Sequence, residues 1–331
     1  MAILDDFIFS AWGKTTWGSD ADKAALDADF ANIRNNFTDV PLIIGEWDAS
    51  FTNTETAGRW RYFDHLLRTA TKYNTATVLW DNGLDQFDRS THVWRDPTVL
   101  SILKNAVAGK KNSLPDSTTD GSLTTQFSSA YVYHKVGTAV TDAVLPYLFN
   151  GNTLTSVRNP KTGKDLVKGT DYSSNSTAIT LTSTFLKTVL SSTATTTGTL
   201  LELALTFSSG APTTVSIVSY TTPTLANTSS ALPATSSDLL IPITWAGQTR
   251  PAAVKGIKSD GGILFDDWTV YLGPLQQGRM TYGGQWDWDA THVILKAATL
   301  DAVRAAGKTT TFTLEFYPRE AGNAVNYTLT V

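Results

Sequence analysis

The sequence predicts a multidomain chain: the last three β/α units of a parallel (β/α) TIM barrel, followed by two β-sandwich domains. Three observations carry this. Residues 1–112 combine helical periodicity with three short apolar runs, and they hold six of the ten tryptophans. Beyond residue 112 the chain turns Ser/Thr-rich, with short alternating apolar runs typical of half-buried strands. The apolar frame of the middle third then recurs in the last third, which argues for one fold used twice. The implied domains are 1–112, a linker at 113–125, a first sandwich at 126–220 and a second at 221–331.

The first part reads in order as strand, helix, strand, helix, strand, helix. Phe7-Ile8-Phe9 is a short strand running into the loop Ser10-Ala11-Trp12-Gly13-Lys14-Thr15-Thr16-Trp17-Gly18. Ser19 suits an N-cap, with Asp20 and Asp22 in the first turn. Leu26, Phe30, Ile33 and Phe37 form the apolar stripe of that helix. Residues 42–46 form the next strand, and Asn53 or Thr54 is the expected cap of a second helix with stripe Trp60, Phe63, Leu67 and Ala70. A third strand covers residues 76–80. Asp96-Pro97 then caps a third helix that faces the core with Val99, Leu100, Leu103 and Val107. Alternating strands and helices imply parallel strands with right-handed crossovers. Three strands leave sheet edges unpaired, and a complete barrel needs about 250 residues. The segment is therefore read as a barrel part.

The stretch Val40-Pro41-Leu42-Ile43-Ile44-Gly45-Glu46-Trp47 delivers a carboxylate and an indole to a strand's C-terminal end, where barrel chemistry collects. Aromatic planes beside a carboxylate suit sugars, whose C–H faces stack on rings. From this octet alone, a strand-end Glu in an ordinary ion pair reads equally well.

Composition narrows the classes. With 26 basic and 30 acidic residues and a net charge of −4, no electrostatic footprint for nucleic acid or an acidic membrane is present. No apolar run reaches the ~18 residues of a membrane span. The absence of cysteine excludes disulfides, thiolate metal sites and cysteine nucleophiles. His65, His92, His134 and His292 show no metal-ligand spacing, so neither a metal nor a cofactor is expected. Met1-Ala2-Ile3-Leu4-Asp5-Asp6 does not read as a signal peptide.

The order Phe-Ile-Phe-Ser-Ala-Trp-Gly-Lys-Thr-Thr-Trp-Gly, Ile-Gly-Glu-Trp and Leu-Trp-Asp-Asn-Gly resembles the closing part of glycoside hydrolase family 5 endo-β-1,4-glucanases, over residues 7 to about 108. The resemblance implies that Glu46 is the catalytic nucleophile on the seventh barrel strand. It implies that Trp80, on the eighth, stacks the sugar beside the cleavage point, and that Trp12 and Trp17 lie on a substrate-cleft loop. It also implies a retaining, metal-free hydrolase, extracellular in the full-length family member. Retention requires two carboxyls about 5–5.5 Å apart. The family's acid/base follows an Asn on the fourth strand, and no Asn-Glu dipeptide occurs in this chain. Asp48, Glu55, Asp81 and Asp85 are the local carboxylates, and their spacing does not single out a substitute. The chain by itself is expected to be inactive, and an open half barrel is expected to self-associate.

In the middle part, strands are expected at residues 131–133, 144–149, 178–181, 201–207 and 215–218, with Asn150-Gly151-Asn152 as a hairpin-type turn and a second linker at 220–237. This part resembles the immunoglobulin-like module attached to cellulases. Leu145-Pro146-Tyr147-Leu148-Phe149 matches Ile241-Pro242-Ile243-Thr244-Trp245 in the last part, and Leu203, Leu205 and Phe207 match Phe312, Leu314 and Phe316. From Val157 to Tyr172 is 15 positions, whereas from the matching Val254 to Trp286 is 32, leaving 17 extra residues. They include or flank Phe265-Asp266-Asp267-Trp268-Thr269-Val270-Tyr271. Trp245 and Trp286 replace Phe149 and Tyr172, so both read first as core. Trp268 and Trp288 lack an apolar counterpart and read as exposed stacking platforms, with Trp286 able to join Trp288 on one strand face. The last part resembles carbohydrate-binding module family 46, which implies binding of β-glucan, as cellulose or xyloglucan. Two readings result: the C-terminal portion of an endo-β-1,4-glucanase, or a non-catalytic β-glucan binder carrying a vestigial half barrel.

Overall fold

A computed structural model describes residues 16–52, 54–83, 85–119, 125–190, 196–264 and 278–331. The chain is mostly β, with few helices. Its first unit contains α1 (Asp20–Asn36), β1 (Leu42–Trp47), α2 (Thr56–Lys72), β2 (Thr75–Leu79), the two-residue strands β3 (Phe87–Asp88) and β4 (Val93–Trp94), and α3 (Pro97–Val107). The strand expected at Phe7 to Phe9 lies outside the described residues.

Local chemistry sets most of these boundaries. Ser19 and Asp22 form a complete capping box on α1. Asp96 caps α3 by accepting from Val99 N, with Pro97 in the first turn. The α2 cap differs from expectation: Glu55 accepts from Ala57 N and Gly58 N, while Thr54 donates its hydroxyl to Ser50 O. A carboxylate reaches both orphan amides at once, which a hydroxyl does not. Two apolar stripes also differ. Leu26 and Phe30 of α1 are buried, but Ile33 and Phe37 lie beyond the cover of α2 and are exposed. On α3 the buried residues are Val99, Ile102 and Ala106, so its inner face is turned away from Val107, which is 72% exposed.

β1 and β2 pair in parallel, from Leu42 opposite Thr75 to Trp47 opposite Leu79, with one register shift between Ile44 and Trp47. On the covered face of this pair, Ile44 and Leu79 pack into a core with Trp47, Trp60, Phe63 and Leu66. On the other face, Ile43 and Val78 are exposed.

The Ser/Thr-rich stretch after residue 112 is not a free linker. β5 (Leu114–Pro115) pairs antiparallel with strand Ala143–Leu148 of the middle unit. Asn112 is fully buried there. Its amide donates to Asp64 Oδ1 at 2.6 Å, its Oδ1 accepts from Ala211 N at 2.8 Å, and its carbonyl accepts from Asn150 Nδ2 at 2.8 Å. Leu114, Ala130 and Ala211 thereby join the core of the first unit. The stretch after Tyr220 is ordered too: strand Thr224–Leu225 pairs with strand Leu239–Thr244, and strand Ser229–Ala231 with strand Ala324–Thr330.

In the middle unit, a five-stranded and a four-stranded sheet share one core that includes Tyr147, Val157, Ile179, Leu203 and Val215. Asn150 and Gly151 both have positive φ, 55° and 87°. That is the backbone of a tight hairpin turn, yet the strands it joins, Ala143–Leu148 and Leu154–Asn159, lie in different sheets. The last unit repeats the plan in two four-stranded sheets. Tyr172 opposite Leu181 in the middle unit corresponds to Trp286 opposite Leu295 in the last.

Asn112→Ala should destabilise the chain by about 3 kcal/mol, because it strands the buried Ala211 amide and removes a partner of Asp64. Urea unfolding reads this; a loss under about 1 kcal/mol would show that the junction does not depend on Asn112.

Candidate active site

Glu46 stands at the C-terminal end of β1, exposed, with no hydrogen bond or ion pair among the described residues. The ordinary ion-pair reading of Glu46 therefore has no partner within this set. The register shift of β1 lies beside it: three steps along β1, from Ile44 to Trp47, span two along β2, from Thr77 to Leu79. Strict alternation would put Glu46 on the side of Leu42 and Ile44. The extra residue instead sends Trp47 into the core, 7% exposed and 5.2 Å from Phe63 centroid to centroid, and leaves Glu46 in water.

Trp80 follows β2 directly. Its amide donates to Trp47 O at 3.0 Å and its side chain is 44% exposed. The structure thus puts an exposed carboxylate and an exposed indole at matching ends of adjacent parallel strands.

Three of the other local carboxylates, Glu55, Asp81 and Asp48, are engaged. Glu55, 3% exposed, is the α2 cap described above. Asp81 accepts from the amides of Gln86 and Phe87 at 3.1 and 3.2 Å. These bonds hold its carboxyl below the usual range against the opposing effect of its partial burial. Asp48 accepts from Gln86 Nε2 at 2.7 Å. Burial, with the charge of Asp85 behind it, pushes the Asp48 carboxyl up to about 7. Sequence spacing alone carries no sign of this perturbation.

The loop after Glu46 is braced from two sides. Arg59 of α2 donates to Thr54 Oγ1 at 2.9 Å and to Asp96 Oδ2 at 2.6 Å. Arg250, from the last unit, donates to Thr52 O at 2.6 Å and lies 4.6 Å from the ring centre of Tyr317.

Trp17 does not lie in an open cleft. It is 1% exposed, packed edge-on to Tyr62 at 5.4 Å and beside His65. The chain just ahead of the α1 cap turns it inward onto α2. Trp12 and Trp268 fall outside the described residues.

In the last unit, Trp286 is buried, and its indole donates to Met280 O at 3.0 Å. Trp288 is half-buried on the same strand, 5.0 Å from Tyr282 and 5.9 Å from Trp286. Tyr282 belongs to the longer connection of this copy and was not singled out by the sequence comparison; its clue is an aromatic just past the inserted segment. Trp245 is partly buried against Phe316. Among the described residues no cluster of His, Asp and Glu is arranged to hold a metal, and no helix is long and apolar enough to cross a membrane.

Residues 126–217 match the family described as carbohydrate binding domain X2. Endoglucanase B of Paenibacillus lautus is 29% identical over 240 residues, 70% of this chain and 38% of that protein. Endoglucanase B of Clostridium cellulovorans is 32% identical over 127 residues, 34% of this chain and 29% of that protein. Among solved structures, the tri-modular GH5 (subfamily 4) endo-β-1,4-glucanase from Bacillus licheniformis complexed with cellotetraose superposes with a TM-score of 0.81 at 27% identity. That match covers 96% of this chain and 58% of the Bacillus protein. The chain thus spans well under two thirds of the relatives it matches. Over nearly all of its length it is similar to a part of the tri-modular family 5 endo-β-1,4-glucanases, consistent with their C-terminal part, and its middle unit matches carbohydrate binding domain X2.

Proposed function

We propose that the first unit is the closing part of a retaining β-1,4-glucanase barrel in which Glu46 is the nucleophile and Trp80 the platform for the adjoining sugar. The observation that carries this is the exposed Glu46–Trp80 pair on adjacent parallel strand ends. In a retaining mechanism the carboxylate attacks the anomeric carbon while a second carboxyl protonates the leaving oxygen; water then cleaves the glycosyl ester. Among the described residues Glu46 makes no hydrogen bond or ion pair that would turn it away from a substrate. Asp48, Glu55 and Asp81 are held in structural bonds, and the family resemblance implies a proton donor on an earlier barrel strand. The relatives' extra length leaves room for such strands.

The middle unit acts as an immunoglobulin-like spacer or weak binder, the latter in keeping with its match to carbohydrate binding domain X2. The last unit binds β-glucan, cellulose or xyloglucan, through Trp288 and Tyr282. The protein works outside the cell, where its polymeric substrate is. The alternative, a glucan binder without catalysis, is favoured if the reading frame upstream of Phe7 encodes no Asn-Glu barrel half.

In the protein that frame encodes, Glu46→Ala should cut turnover of carboxymethylcellulose by about 10⁴-fold or more; retained turnover would remove Glu46 as nucleophile. The 331 residues alone should release no reducing ends, and turnover abolished by Glu46→Ala would overturn that expectation. Trp288→Ala in the whole chain should weaken retardation in β-glucan affinity gels without moving the thermal transition; a collapsed transition would make Trp288 a core residue. The apolar face of β1 and β2, with Ile43 and Val78, should drive self-association, so sedimentation as a clean monomer at tens of micromolar would count against an open barrel edge.

A further inference from the structure

We propose that Asp48 and Gln86 form a positioning pair, a clasp that fixes the loop leaving the Glu46 strand against the loop leaving the Trp80 strand. Gln86 is 1% exposed, and its amide nitrogen donates to both Asp48 Oδ1 at 2.7 Å and Ala49 O at 3.1 Å. Its own backbone is pinned in turn. The Gln86 amide donates to Asp81 Oδ1 at 3.1 Å, and its carbonyl accepts from Arg95 N at 2.9 Å. One side chain therefore ties the first residues after β1 to the segment Asp81–Phe87. Between them, the strands themselves contribute the Trp80 N to Trp47 O bond at 3.0 Å. These contacts add to the β1–β2 register and the packing of Trp47 in placing the loops that follow Glu46 and Trp80. The naming of those two residues as a cleft pair rests on the function proposed above, whereas the clasp stands on its own geometry.

The clasp is sensitive to protons. The groups facing Asp48 are Asp85 from the loop after β2, and Arg59 and Tyr62 from α2. Burial and the Asp85 charge outweigh Arg59, so the closed clasp holds its proton up to about pH 7. Once the loop swings into water, the carboxyl returns toward its ordinary range. The closed form thus binds more protons between roughly pH 4 and pH 7, and its advantage over the open form falls as pH rises through that window. Above about pH 7 both forms are ionised and the balance is level. Gln86 Oε1, buried and without a donor among the described residues, provides an acceptor beside the protonated carboxyl.

Amide hydrogen exchange of residues 80–87 in the whole chain, corrected for intrinsic exchange, tests this without any sugar. Protection in the unmodified protein should fall by up to about tenfold per pH unit from pH 5 to pH 7. Asp48→Asn, which keeps the bond but cannot titrate, should be protected equally at both. Asp48→Ala should lose protection at both, and Asp85→Asn should shift the dependence to lower pH. Persistence of the pH dependence in Asp48→Asn, or protection of Asp48→Ala equal to the unmodified protein, would overturn the clasp. If Asp48→Ala does not fold, the Asn variants decide alone. Cellotetraose affinity of the first unit, absent or present, bears on the glucanase reading and leaves the exchange result intact.

Discussion

One buried carboxylate organises the candidate site. Asp96, 5% exposed, accepts from Arg59 Nη2 at 2.6 Å, Trp60 Nε1 at 2.7 Å and Val99 N at 3.1 Å. A buried ion pair is not stabilising in itself, because both charges lose water. Here every donor has a use: one caps α3, two come from the N-terminal turns of α2, and Arg59 passes the connection on to Thr54 in the loop after β1. Removing Asp96 would leave Arg59 charged and dry, a loss of the order of 3–5 kcal/mol. The loop that follows Glu46 is thus anchored to the helix that follows Trp80, through a carboxylate that is itself buried.

What the sequence made legible was local. The Ser19 capping box, the Asp96-Pro97 start of α3 and the apolar runs of β1 and β2 each depend on neighbouring residues, and each lies where pattern reading puts it. What it did not make legible was decided at a distance. Of the two caps expected for α2, Asn53 lies outside the described residues and Thr54 bonds elsewhere, while Glu55 caps the helix because its two oxygens serve two amides. The α3 face is set by what α2 presents, so Ile102 and Ala106 are buried while Val107 is not. Trp17 reads as a cleft residue from its motif and packs as core, because Tyr62 and His65, the seventh and tenth residues of the helix that covers it, meet its ring. A Ser/Thr-rich composition looks like a linker until Asn112 is seen to bond to both units.

The internal duplication was the strongest long-range signal. Equal spacing of apolar residues in two copies transfers a pairing from one to the other, and Trp286 takes the place of Tyr172 against the same strand partner. The comparison has no purchase where the copies differ. Trp288 sits where the middle unit has no aromatic, half-buried between Trp286 and Tyr282. Its ring is held by neighbours yet still reaches solvent, the condition a sugar platform requires: rigid enough to stack without losing much entropy, open enough to be met.

Glu46 itself shows how a fold makes a charged residue available. Side chains on a strand alternate, so a carboxylate two positions after Ile44 would follow it toward the helices and the core. Burying an unpaired carboxylate there would cost several kcal/mol. One extra residue in β1 resolves the conflict: the indole of Trp47 takes the inner position, and the carboxylate turns out to solvent at the strand end adjoining that of Trp80. Bulges recur next to active sites because they re-aim one side chain without moving the strand. The same step couples the two residues, since Trp47 is both the inward anchor of Glu46 and the carbonyl that receives the amide of Trp80. Packing of an apolar ring therefore sets the position of a carboxylate that touches none of the core.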